Sequence, residues 1–192
     1  RDKIAMFEPL RYPPIAELAA PMLRIAGLRI APTINAQHRQ PYFVAMSFMN
    51  VSGGAATQAA FPAGVKLVSP QWSPDGKHVA VGNISAKGVE LWIVETATGK
   101  VRRLGNVYVN TAFGGFGWED HETLTATLVP SKRGSAPSYR DVVPTEPNIQ
   151  ETSGRGGAIA TVQDLLKTPN DERIFEYYAT SQIALIGVDG KV

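Results

Sequence analysis

Cysteine is absent from the 192 residues, histidine occurs three times, and no apolar run approaches the length of a membrane-spanning helix. Without cysteine there is no disulfide framework and no thiolate metal site, although many domains of several compartments lack cysteine, so the compartment stays open. Without a run of about 18 apolar residues no membrane span is expected. Charge of one sign is also scarce: 19 Lys plus Arg stand against 17 Asp plus Glu, a formal net charge of +2, with no basic block. This argues against nucleic acid and an anionic membrane as partners. The nucleophile elbow G-x-S-x-G and the zinc signature H-E-x-x-H are both missing. His38 falls in a polar loop and His78 and His121 in or beside turns, all three read as solvated. Asn170, Asp171 and Glu172 lack the alternating spacing and glycine of a calcium loop and read as the first turn of a helix. No catalytic residue, metal ligand or cofactor site is assigned.

What is present is a repeat. In residues 71 to 104, Ser73, Pro74, Asp75 and Gly76 supply a tight turn, since Pro presets φ, Asp bonds the backbone ahead and Gly accepts positive φ. Three antiparallel strands are expected after it, through Val79 and Val81, through Val89, Leu91 and Ile93, and from Val101 to Leu104. Arg102 and Arg103 make the last one a short, charged outer edge. Trp118 follows Trp72 by 46 residues and GWEDHETLTATL repeats the order of QWSPDGKHVAV. ALIGVDGKV at 184 to 192 repeats LWIVETATGKV with two residues fewer in the turn, and RDKIAM at 1 to 6 resembles DGKHVAV. The spacing is that of one propeller blade. The expected fold is therefore all-β, a partial β-propeller of about two and a half four-stranded blades with short helical insertions. A partial blade spans 1–63, a complete blade 64–106 and a second partial blade 107–192, the last opening at Val107. Such a chain reads as a piece of a longer protein.

Two stretches do not belong to plain blades. Residues 13–27 carry Ile15, Leu18, Ala19, Met22, Leu23 and Ala26 at helical spacing, with Gly27 as the stop and Pro21 as a kink, and are expected to form a helical insert. Residues 31–41 read as loop. Residues 130–180 form a second insert: a loop over 130–157 rich in proline, glycine and small polar residues, a short helix over 161–168 capped by Thr161 with Asp164, and a second helix from Pro169 to Tyr178. Phe175, Tyr177 and Tyr178 are expected to anchor it. Lys132, Arg133, Arg140 and Arg155 make the loop basic, which either attracts an acidic substrate or keeps the loop solvated. Lys132, Arg133 and Arg140 are the candidates for recruiting substrate. The glycines of NTAFGGFGW read as close packing of inner strands, because the Lys-Ser/Thr ending and helix of a phosphate cradle are missing. Asn50 and Asn83 head glycosylation sequons.

The inserts carry a resemblance. RYPPIAELAAPMLRIAGLRI at 11–30, the VP-x-x-P-x-x-Q-E stretch at 143–151 and TVQDLLKTPNDERIFEYYATSQIAL at 161–185 resemble the N-terminal propeller of the glutamyl endopeptidase-like branch of prolyl oligopeptidase-class serine peptidases. The resemblance implies a C-terminal α/β-hydrolase domain in the same protein, with a Ser, His and Asp triad lying outside these residues, and a peptide substrate cut after Glu. A periplasmic or secreted setting is expected. The alternative is a propeller that serves only as a binding or scaffolding module, as periplasmic propellers of this repeat type do.

Overall fold

The computed structural model describes residues 2–139, 154 and 164–192. Ten strands form one antiparallel sheet, strongly curled into a half-barrel, consistent with a partial β-propeller. Three groups follow one another along it. The first pairs β1 (Lys3–Pro9) with β5 (Phe43–Asn50), whose other side meets the two-residue β6 (Thr57–Gln58). The second is a four-stranded meander of β7 (Leu67–Trp72), β8 (His78–Ser85), β9 (Gly88–Glu95) and β10 (Val101–Val109). The third runs from β11 (Phe116–Trp118) through β12 (Thr123–Leu128) to β13 (Gln182–Gly187). Neighbouring groups are joined by single pairs, Phe43 with Leu67 and Val109 with Leu128.

The repeats seen in the sequence are repeats of register. Val79 lies opposite Val94, Leu124 opposite Ile186 and Ala5 opposite Phe48, each near the start of its hairpin. The turn before β8 is fixed by its own side chains. Ser73 Oγ donates to Asp75 Oδ1 at 2.7 Å and accepts from the His78 amide at 3.0 Å, while Gly76 takes φ +74°. In the third group Asp120 does the same work, accepting from the amides of Glu122 and Thr123 at 2.7 Å.

The middle group is buried on both faces. Val79, Val81 and Val94 face a core shared with Met46, Phe48 and Leu67, whereas Ala80, Leu91 and Ile93 face a second core with Leu124, Ala126 and Ile186. Period-two alternation therefore sends alternate side chains of each strand to different groups. β9, whose Leu91, Ile93 pattern reads as a half-buried strand, is covered on both sides. The outermost groups are not: Ile4 of β1 and Ile183 and Leu185 of β13 are exposed.

The structure departs from the sequence expectations in four places. Residues 13–27 are not a helix beyond the single turn α1 (Ile15–Leu18); after Pro21 the chain pairs β2 (Leu23–Ile25) with β3 (Leu28–Ala31). Ala26 and Gly27, both at positive φ, form the two-residue turn, so Gly27 is a hairpin turn and not a helix stop. The loop expected over 31–41 contains β4 (Ala36–Gln37), which completes a three-stranded sheet. β10 does not end at Leu104 but runs on to Val109, so the third group opens at β11 and not at Val107. Thr161 lies outside the described residues; from Asp164 to Lys167 there is no helix, and the capping box sits seven residues later, on Thr168 and Asp171 of α2 (Pro169–Ala179). The reason is that Thr168 precedes a proline, whose missing N–H and fixed φ suit the first helical position.

Candidate functional site

The two inserts, far apart in sequence, fold into one small module. Leu23, Ile25 and Ile30 of the three-stranded sheet share a buried core with Ile174 and Tyr178 of α2 and with Ala112. Phe113 meets Phe175 edge to face with ring centres 5.4 Å apart. The amphipathic stripe of α2 and the alternating Leu23, Ile25 and Ile30 each leave an apolar face that only the other can cover. Polar contacts then fix the geometry. Asn35, 2% exposed and at φ +51°, donates its Nδ2 to the Tyr178 carbonyl at 3.2 Å, and Asn110 donates to the same carbonyl at 2.9 Å. Arg29 pairs with Asp164 at the other side of the module.

Arg133 closes it. Its Nη1 donates to Asn35 Oδ1 at 2.6 Å and to the Tyr177 carbonyl at 3.2 Å, and the guanidinium lies 4.2 Å from the Tyr177 ring centre. Of the three candidate recruiting residues, the structure thus ties Arg133 into the insert module and leaves Lys132 exposed beside it; Arg140 lies outside the described residues, as does most of the 130–157 loop. The histidines divide likewise. His121 is exposed, but His78 is half-buried, its ring stacked on Trp118 of the next group at 6.5 Å and its Nδ1 buried without a partner. Burial, against the opposing pull of Asp75 and Glu95, lowers the His78 pKa, and burial followed by the charge of Arg39 lowers that of His38. Solvation, expected for all three, holds for His121 alone. The sequon at Asn83 is engaged: its Oδ1 accepts from the Lys66 amide at 3.0 Å and its Nδ2 donates to Glu90 at 3.2 Å.

A cavity of about 550 Å³ opens where the module meets the inner strands. Gln37 and Gln40 come from the first insert, Ser69 and Gln71 from β7, and Thr111 and Thr127 from the segments around β11 and β12. Its lining is uncharged, the glutamine, serine and threonine side chains offering hydrogen-bond donors and acceptors beside the apolar Phe116 and Ala126. The glycine-rich stretch behaves sterically as expected at Gly114, where a Cβ would lie 2.1 Å from Thr127 Oγ1, but Gly115 faces open space. Across the wall Gln71 Nε2 donates to the Phe116 carbonyl at 2.8 Å and Trp118 Nε1 to the Gln71 carbonyl at 3.0 Å, tying inner strands of adjacent groups together. Among the described residues no cluster of three or more His, Asp or Glu side chains has the geometry to hold a metal. No described helix is long and apolar enough to cross a membrane.

A curled, blade-like sheet whose first and last groups each lend an insert to a shared module defines a partial β-propeller with a composite cap. Along its whole length the chain is similar to proteins named as probable chloroplastic glutamyl endopeptidases. The identity is 32% with that of Oryza sativa subsp. japonica and 34% with that of Arabidopsis thaliana, each over 100% of this chain. The chain spans only about a fifth of their length, 22% and 21% respectively. The Tol-Pal system protein TolB of Chromobacterium violaceum is 32% identical over 53 residues, 28% of this chain and 12% of that protein. No family model matches. The resemblance to the glutamyl endopeptidase-like branch therefore covers all of this chain and not its inserts alone.

Proposed function

We propose that this chain is the non-catalytic propeller portion of a serine-type endopeptidase that cleaves peptides after Glu, and that it gates access to an α/β-hydrolase domain C-terminal to it. The observation that carries the reading is the match of the entire chain, inserts included, to a fifth of the length of proteins named glutamyl endopeptidase. A propeller serving only as a scaffold would share the repeat but has no reason to share the inserts. The three strand groups are the proposed blades, the expected boundary between the second and third moving from 106 to the end of β10 at Val109. Exposed Ile4, Ile183 and Leu185 support further blades against both outer groups, because the middle group is buried on both faces by its neighbours. Peptide substrate would meet the uncharged cavity on the inner strands, with Lys132, Arg133 and Arg140 drawing acidic chains toward the insert. Since Arg133 is held by Asn35 and Tyr177, the attraction falls mainly to Lys132 and Arg140.

The test compares the full-length protein with the 192-residue chain on a peptide containing a single Glu. Turnover by the first and none by the second is expected; turnover by the isolated chain, or cleavage by the full protein without regard to Glu, overturns the reading. Lys132→Gln with Arg140→Gln should lower kcat/KM at low salt and less at high salt, because exposed charges are screened beyond about 10 Å at 0.1 M. An unchanged kcat/KM at low salt removes the insert from recruitment.

A further inference from the structure

A second cavity, about 430 Å³, lies between the first insert and the strands beneath it and plays no part in the clamp on Asn35. Leu10, Leu18, Ile34, Tyr42 and Ile84 give it apolar walls, and its volume is that of a small-ligand site. The charged groups that line it are Glu17, Lys66, Arg11 and Arg39, together with His38, which burial keeps toward its neutral form. Glu17 is fully committed: Lys66 pairs with it, and the Tyr42 hydroxyl donates to its two oxygens at 3.2 and 3.1 Å. Lys66 also lies 5.3 Å from the Tyr42 ring centre. That cation and that anion cancel within the wall, so the charge left facing the hollow is that of the two guanidiniums.

Both arginines are exposed. Arg39 spends one nitrogen on the Leu18 carbonyl at 2.6 Å, and Arg11 makes no side-chain hydrogen bond or ion pair among the described residues. Gln40, also on the lining, has a buried side-chain oxygen with no partner. Residues 10–18 form a strap over the hollow, of which Leu10 and Leu18 line it while Tyr12 and Ile15 turn away from it. Leu10, Tyr12, Ile15 and Leu18 are all exposed, and α1 buries none of its residues. Four exposed large apolar side chains within nine residues, beside two cations, form a surface that an apolar anion complements on both counts.

We propose that the strap and its cavity dock an acidic peptide segment, one apolar side chain seated in the hollow and flanking carboxylates on Arg11 and Arg39. The choice of a peptide over another amphipathic anion rests on the peptidase reading above. Docking here would hold an acidic chain beside the inner-strand cavity, with which this hollow shares Gln37 and Gln40, as an anchoring site and not a reacting one.

The test is fluorescence anisotropy on the full-length protein with a labelled peptide of one leucine between two pairs of aspartates. This probe has no Glu, so its binding is read independently of Glu cleavage, and a failure here leaves the turnover test standing. Saturable binding that weakens with salt is expected. Replacing the leucine by glycine should weaken it about tenfold or more, the loss of one buried Leu side chain. Replacing the aspartates by lysines should abolish it. Arg11→Gln, at an exposed position, should weaken binding about threefold at low salt. Ala20→Trp, on the exposed rim, should block the hollow, with circular dichroism checking that each variant folds. Equal affinity for the leucine and glycine peptides, indifference to Ala20→Trp, or occupation by dodecanoate with the same dependence on Arg11 and no peptide binding would each overturn the proposal.

Discussion

Replacing Arg133 by alanine should open the insert module while leaving the sheet beneath it folded. The guanidinium makes two hydrogen bonds, at 2.6 and 3.2 Å, and a ring contact at 4.2 Å. A hydrogen bond to a charged group contributes about 1.5–3 kcal/mol, discounted here because Arg133 is partly exposed. Its loss also strands Asn35 Oδ1 in a residue that is 2% exposed, and an unpaired buried acceptor costs about 1–3 kcal/mol. The ring contact adds about 0.5–1 kcal/mol. These overlap, because the first two describe the same bond from its two ends, so the total is about 2–4 kcal/mol, or roughly 30- to 900-fold in the opening equilibrium. Hydrogen exchange on the full-length protein reads this locally, at the amides of Ile25 and Ile30. Lys132→Ala, next in sequence and exposed, should shift the same amides by less than about 0.5 kcal/mol. Arg133→Lys should rescue little, since an ammonium cannot reproduce the planar fork. If Arg133→Ala leaves exchange at Ile25 and Ile30 unchanged, the guanidinium is not what joins the inserts.

Further substitutions test other joints. Gly99→Ala places a Cβ 2.3 Å from the Gln58 carbonyl oxygen at φ +71°, whereas Gly53→Ala at φ +92° meets no atom within 4 Å. Both incur left-handed strain of about 1–2 kcal/mol, so only Gly99→Ala should lower the denaturant midpoint well beyond that cost. Thr168→Ala removes the cap of α2 and should cost about 1 kcal/mol, read as faster exchange in that helix. Asp75 is held down to about 2 by the Ser73 hydroxyl first and the Lys77 amide second. Its contribution to stability should be complete above the ordinary carboxylate pKa near 3.8 and lost as pH falls through about 2, with a carboxyl carbon NMR titration midpoint near 2. A midpoint near 3.8 would mean that the Ser73 bond does not form in solution.

What the sequence disclosed was local. The Ser73 to Gly76 turn, the Trp72 and Trp118 spacing and the matched hairpins depend on residues a few positions apart, and each was found where periodicity placed it. The first insert misled because Leu18, Met22 and Ala26 satisfy a helical period while Leu23, Ile25, Leu28 and Ile30 also alternate; helix α2, contributed from residues 169 to 179, decides for the strands by covering them. Arg133 read as one charge of a basic loop, there to recruit substrate or to keep the loop solvated, for the same reason. Its partners, Asn35 and Tyr177, are 98 and 44 residues away, and no local pattern announces them. Nor does sequence show that Trp118 of one group covers His78 of another, which turns a turn-side histidine into a half-buried one.

The central claim, a propeller that guards chemistry carried elsewhere in the same protein, is tested most directly by active-site labelling. Full-length protein treated with a serine-reactive fluorophosphonate, then digested and mapped by mass spectrometry, should carry the label on one serine outside these 192 residues, and labelling should abolish cleavage after Glu. A label on any serine within the chain, or cleavage after Glu that survives complete labelling, would contradict it.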